Sequence, residues 1–201
     1  MIKKIKIALI GNPNSGKSSV FNALTGLNQK VANFPGVTVE KKTGYTSLRD
    51  KFGNTIEAEI IDLPGTYSLY PKSPEERIPF QLLCDPQNEA HPDLTIVVAD
   101  GANLKRNLFL ASQLVDLKIP VVLVINMMDI VRFKKININF EKLSVRLGVP
   151  IVSMNARKQE GLKELKEAIA KPFSPPANDF IDIRPFAPEV IDTIRQTVNV
   201  N

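Results

Sequence analysis

Gly11-Asn12-Pro13-Asn14-Ser15-Gly16-Lys17-Ser18 decides the reading of this chain. The stretch has the form G-x-x-x-x-G-K-[ST]. It lies between an apolar run over 5–10 that reads as a buried strand and a segment over 17–27 whose Val20, Phe21 and Leu24 recur at helical spacing. Such a loop bends around a phosphate with its amide hydrogens turned inward, forming an anion nest at a helix N-terminus. Gly11 and Gly16 permit backbone shapes that a β-carbon obstructs. Lys17 brings positive charge to the terminal phosphates, and the Ser18 hydroxyl is a magnesium ligand. The cradle takes in Asn12, Pro13, Asn14, Ser15 and Ser19 as well. The alternative is a chance Gly/Ser loop, which the flanking strand and helix weigh against.

Three further elements follow in order. Asp62-Leu63-Pro64-Gly65 ends a predicted strand over 55–61, 44 residues after Ser18. A carboxylate there holds magnesium through water, and the Gly65 amide reaches a terminal phosphate. Asn126-Met127-Met128-Asp129 follows the strand over 121–125. The Asp129 carboxylate can accept from both the ring N–H and the exocyclic amine of guanine. Adenine lacks that amine and leaves the carboxylate unpaired, at roughly 1–3 kcal/mol, so this element favours guanine. Asn155-Ala156-Arg157 follows a short strand over 151–152, where the Ala156 amide meets the guanine oxygen. Taken alone, each of these three also reads as an ordinary strand exit or helix cap.

Around these motifs, strands alternate with helices. Strands over 39–48 and 55–61 flank the turn-rich Arg49-Asp50-Lys51-Phe52-Gly53-Asn54 as a hairpin, and 94–99 and 121–125 are buried strands. Helical segments occupy 104–117, 140–147 and 162–171. The expected fold is therefore α/β: a three-layer P-loop NTPase domain with a mostly parallel sheet, one antiparallel edge strand, and helices on both faces. That domain covers 1–171. Pro172, Pro175, Pro176 and Pro185 make 172–186 a linker, and Pro188 opens a helix that begins a further helical segment over 187–201, which stops as though the chain ran on.

Composition narrows the class. The 201 residues are 43% hydrophobic and 23% charged, as in a soluble globular protein. No run approaches the about 20 apolar residues of a membrane span, and the N-terminus has no apolar signal core. A single cysteine, Cys84, excludes an internal disulfide framework and fits a reducing compartment; a single histidine, His91, argues against a histidine-based zinc site. The net charge of +5 is mildly basic, and no aromatic-interleaved basic stripe points to RNA.

In this order the four elements resemble the translation-factor-like P-loop GTPases. Val31-Ala32-Asn33-Phe34-Pro35-Gly36-Val37-Thr38-Val39-Glu40, Asp62-Leu63-Pro64-Gly65-Thr66-Tyr67-Ser68-Leu69 and Ser73-Pro74-Glu75-Glu76 narrow the likeness to the cytosolic G domain of the ferrous iron transport protein B family, over about 4–171. The resemblance implies GTP and GDP as ligands, Mg²⁺, K⁺, and slow hydrolysis of GTP. Thr38 is then the switch threonine on magnesium, within a first switch over 33–38 that includes Pro35, Gly36 and Val37; a second switch covers 63–79. Asn14 helps hold potassium, a fixed cation that steadies charge developing in the transition state. Asn14, Lys17, Thr38 and Gly65 carry the catalysis, while Asn126, Met127, Asp129, Asn155, Ala156 and Arg157 hold the base. Thr66 stands where many GTPases have a water-orienting glutamine, and Met127 where many have lysine. The resemblance further implies a membrane-embedded iron channel as partner and a place on the cytoplasmic face of the cell membrane.

The remaining residues have plainer readings. Cys84 is a structural bystander, His91 is solvated, and Glu75-Glu76 forms a solvated loop face rather than an iron site. Two other functions share the motifs: an RNA- or ribosome-associated assembly GTPase, and a nucleotide-dependent scaffold that does not hydrolyse.

Overall fold

The computed structural model describes residues 2–34 and 37–177. The expected site residues Pro35 and Gly36, and the tail from 178 with its expected helix, lie outside the described residues.

The central strand β1 (Lys3–Gly11) is buried on both faces, which is why it reads as a continuous apolar run. Ile7 and Leu9 face one core with Val20, Phe21, Leu24, Leu165 and Ile169. Ala8 and Ile10 face the other with Leu82, Leu110, Leu114 and Leu147. Each large aliphatic or aromatic side chain so buried contributes about 1.5–3 kcal/mol. The first core lies under α1 (Lys17–Thr25) and α6 (Leu162–Ala170). The second lies under α2 (Pro74–Cys84), α3 (Leu104–Asp116) and α5 (Phe140–Leu147), so the molecule has three layers.

Strands β4 (Thr55–Asp62), β1, β5 (Leu94–Asp100), β6 (Val121–Asn126) and β7 (Ile151–Ser153) run parallel. In register, Leu9 lies beside Asp62, Gly11 beside Val98, and Asp100 beside Asn126. The carboxyl ends of the strands therefore share one edge, where ligands of open α/β sheets bind.

The antiparallel part is a two-strand ribbon. β3 (Glu40–Arg49) pairs with β4 in the expected hairpin, whose turn is tied by the Asp50 carboxylate accepting from the Phe52 and Asn54 amides at 2.8 Å each. Outside it β2 (Gln29–Asn33) pairs with β3 and forms the sheet edge. The sequence predicts no strand there, because all five residues are exposed and offer no alternation of burial.

Two helices also depart from the sequence reading. α2 takes in the last six residues, 74–79, of the segment read as the second switch and continues to Cys84. Ser73 caps it by accepting from the Glu76 amide at 3.3 Å, and Pro74 opens its first turn. The short α4 (Met128–Phe133) starts directly after β6. Of the expected linker, 172–177 is described: Phe173 packs on the α1–α6 core, with the Lys3 ammonium 5.2 Å from its ring centre. Among the described residues no helix is long and apolar enough to cross a membrane.

Candidate functional site

The loop from β1 to α1 is held by backbone geometry. Asn14 has φ 64° and Gly16 has φ 85°, both left-handed, which turns successive amides to one side. A β-carbon on Gly16 would lie 2.2 Å from Asn126 Nδ2, and one on Gly11 would lie 2.4 Å from the Val98 carbonyl oxygen. Glycine is therefore required at 16 by conformation and by space, and at 11 by space. Ser15 N–H donates to Asn12 O at 3.1 Å, closing the turn. The side chains of Asn12 and Ser15 are buried without a hydrogen-bond partner among the described residues.

Two neighbouring strand ends abut this loop. Leu63 N–H donates to Leu9 O at 2.9 Å, and Thr66 N–H to Gly11 O at 3.2 Å, so 62–66 runs against the loop. Lys17 Nζ makes a largely buried, hydrogen-bonded ion pair with Asp62 Oδ1, which brings the expected phosphate cation and magnesium carboxylate together. Ser18 follows Lys17 on the first turn of α1 and is exposed.

Asn126 ties the other side. Its Nδ2 donates to Ser15 O at 3.1 Å, and its Oδ1 accepts from Ala156 N–H at 3.0 Å. One buried side chain thus joins the phosphate loop to the loop after β7. The sequence reading assigns the Ala156 N–H to a guanine oxygen; in the structure this N–H donates to Asn126 Oδ1. Arg157 N–H, one residue on, has no partner among the described residues. Asn155 exchanges both backbone hydrogen bonds with Glu160, at 3.0 and 3.2 Å, and Glu160 pairs with Arg132 at 2.8 Å, so the loop is braced from outside.

Met127 (φ 62°) turns at the head of α4, and its methyl lies 3.6 Å from the position a Gly16 β-carbon would take. Asp129 is exposed on the first turn of α4, and its carboxylate has no partner among the described residues.

Thr38 is exposed and lines a cleft with Phe34, Ser73 and Glu75; no hydrogen bond joins it to Lys17, Ser18 or Asp62. Thr66 faces inward, 1% exposed. Its hydroxyl donates to Ser68 O at 2.7 Å, accepts from Ser68 N–H at 3.2 Å, and lies 3.4 Å from Glu76 Oε1. Glu76 accepts from Lys72 N–H at 2.8 Å, so it fastens the loop and is not merely part of a solvated face. His91 is half-buried, its Nδ1 donating to Leu82 O at 3.2 Å, where the sequence reading has it solvated. Partial burial pushes the Cys84 thiol above its ordinary pKa, as suits a bystander. Among the described residues no three His, Cys, Asp or Glu side chains cluster as a metal site.

A family model described as ferrous iron transport protein B matches residues 5–169. The chain belongs to the ferrous iron transport protein B family. It is 41% identical over 186 residues to the Fe(2+) transporter FeoB of Salmonella typhimurium, covering 92% of this chain and 23% of that protein. It is 44% identical over 168 residues to the Fe(2+) transporter FeoB of Shigella flexneri, covering 84% of this chain and 21% of that one. The chain thus spans under a quarter of the curated relatives it matches. Among solved structures, the cytosolic domain of L. pneumophila FeoB superposes with a TM-score of 0.83 at 39% identity, covering 96% of this chain and 74% of that one. A mutant of S. thermophilus NFeoB bound to mGDP gives 0.81 at 39% identity, covering 96% and 73%. The fold is that of the FeoB G domains.

Proposed function

We propose that this chain is a GTP-binding and GTP-hydrolysing domain, the nucleotide-controlled part of a ferrous iron membrane transporter. The observation that carries it is the double hydrogen bond of Asn126, which sets the phosphate loop and the 155–157 loop around one space. In that space the amides of 12–19 receive the phosphates, with Lys17 as their counter-charge. Asp129 takes the two guanine N–H donors, Met127 covers the base, and an amide of the 155–157 loop, which includes Ala156, meets the guanine oxygen.

The glycine cradle, the Ser18 hydroxyl and the Asp62 carboxylate suit a magnesium nucleotide. Ser18, Asp62 and Thr38 would hold Mg²⁺, which neutralises charge on the phosphates when bound. Asn14 would help hold K⁺ at the same phosphates. Thr38 would close on the magnesium and the terminal phosphate, and Gly65 would offer its amide to that phosphate. Thr66 is engaged internally and offers no water-orienting amide; backbone groups of the first switch would orient the attacking water, and slow hydrolysis is expected.

The test is a titration with fluorescent GDP and GTP analogues in magnesium buffer, competed with ATP, followed by phosphate release in potassium and in sodium. Guanine nucleotides bind, ATP does not compete, and potassium accelerates release. Absence of nucleotide uptake overturns the reading. An Asn14→Ala variant that keeps the potassium effect overturns the cation assignment alone.

A further inference from the structure

On the α3–α5 side of the molecule a cleft of about 1310 Å³ opens between the 3-10 turn Gly101–Asn103, the start of α3 and α5. Its floor is apolar: Leu104, Ile138 and Leu143 rest half-buried on the core below, while Ile136 and Val145 stand more exposed at its side. Its rim is basic. Lys105, Arg106, Lys142 and Arg146 line it, and no lining residue is acidic. Among the described residues Lys105, Lys142 and Arg146 have no ion-pair partner. An apolar floor ringed by uncommitted cations is costly to leave open to water and complements one kind of surface.

We propose that this cleft docks an amphipathic helix of a partner protein, with apolar residues on one face and carboxylates along its edges. The apolar floor receives the i, i+3, i+4 and i+7 side chains, and the four cations meet the flanking carboxylates. Concavity favours this occupant over a lipid bilayer, whose headgroup plane cannot follow a recess. The apolar floor favours it over RNA, which would need stacking platforms.

One of the rim cations reaches the segment after Asp62. The Arg106 guanidinium stacks 3.9 Å from the centre of the Tyr67 ring, two residues beyond Gly65. A carboxylate that draws Arg106 into the cleft takes it from Tyr67. Occupation of the cleft and the state of the 62–69 segment are thereby coupled, and this coupling alone rests on the proposed nucleotide switch.

The probe is a fluorescein-labelled helical peptide of leucine and glutamate with leucines at i, i+3, i+4 and i+7, read by anisotropy. Saturable binding is expected, weakened about tenfold or more by the Lys142→Glu, Arg146→Glu pair and, independently, by Lys105→Glu. A control peptide with serine for leucine should not bind. Equal binding of the control, or indifference to both sets of charge reversals, overturns the proposal. So does sedimentation of the protein with phosphatidylserine vesicles, or capture by single-stranded RNA, in place of peptide binding. Repeating the titration with GDP and with a non-hydrolysable GTP analogue reads the coupling: a peptide affinity that differs between them, and ceases to differ in Tyr67→Ala, supports it. Nucleotide uptake without peptide binding defeats the docking site alone. Peptide binding without nucleotide uptake defeats the proposed switch alone.

Discussion

Lys17 and Asp62 form an ion pair across the mouth of the phosphate loop, with 14% and 10% of their side chains exposed. In the proposed function each residue serves the nucleotide: the ammonium would meet phosphate and the carboxylate would hold magnesium. On that proposal the ion pair competes with an incoming polyphosphate, and a magnesium nucleotide would satisfy both side chains at once.

Replacing Asp62 by Asn therefore has a particular signature. The variant frees Lys17 and removes a negative charge from the path of the phosphates. Fluorescent-GTP affinity measured in EDTA should rise about fivefold, while the gain on adding magnesium shrinks, since a partly exposed pair is worth about a kcal/mol. Unchanged affinity in EDTA would show that the pair does not compete with nucleotide.

Asn126 joins two loops through buried bonds, so its loss should register in stability as well as binding. Asn126→Ala leaves Ser15 O and Ala156 N–H without these partners. The expected cost is about 2–4 kcal/mol in urea unfolding, together with loss of fluorescent-GDP binding.

Much of this arrangement is legible in the sequence because it depends on local chemistry. The strand–glycine loop–helix spacing places Gly11–Lys17, and the long apolar runs place β1, β5 and β6, whose double burial leaves little room for another reading. Elements without a burial signature escape. β2 is exposed along its whole length. α2 carries its own start signal in Ser73-Pro74 and Glu76, yet the same stretch also reads as a switch loop. The engagement of Ala156 depends on where Asn126, 30 residues earlier, puts its side-chain oxygen, and no local pattern encodes that.

Glu76 shows what such a hidden contact does. It fastens 66–76 by accepting from Lys72 N–H and approaching the Thr66 hydroxyl. In Glu76→Ala the Lys72 amide loses its acceptor. Hydrogen exchange at Lys72 and Ser68 should speed up about tenfold, with global stability lowered by about 1 kcal/mol.

Cys84 gives a pH-dependent check. Burial disfavours its thiolate and raises its pKa. At neutral pH less thiolate is present than in a free cysteine, so iodoacetamide should alkylate it more slowly. The rate should keep rising with pH beyond the point where a model thiol levels off. Alkylation as fast as that of glutathione at pH 7 would show an activated cysteine instead.

Base recognition can be reversed by one atom of chemistry. Asp129 stands exposed and unpartnered among the described residues at the head of α4, suited to accept from two N–H donors of guanine. Xanthine has an oxygen where guanine has its exocyclic amine. An asparagine can accept from the ring N–H with its oxygen and donate to that new oxygen with its nitrogen. Asp129→Asn should therefore weaken GDP binding about a hundredfold, losing a charge-assisted pair worth about 1.5–3 kcal/mol, and gain affinity for xanthosine diphosphate. Because the Asp129 carboxylate makes no structural contact among the described residues, thermal unfolding without nucleotide should be unchanged. A variant that loses GDP without gaining the xanthine nucleotide would place the base on a different residue.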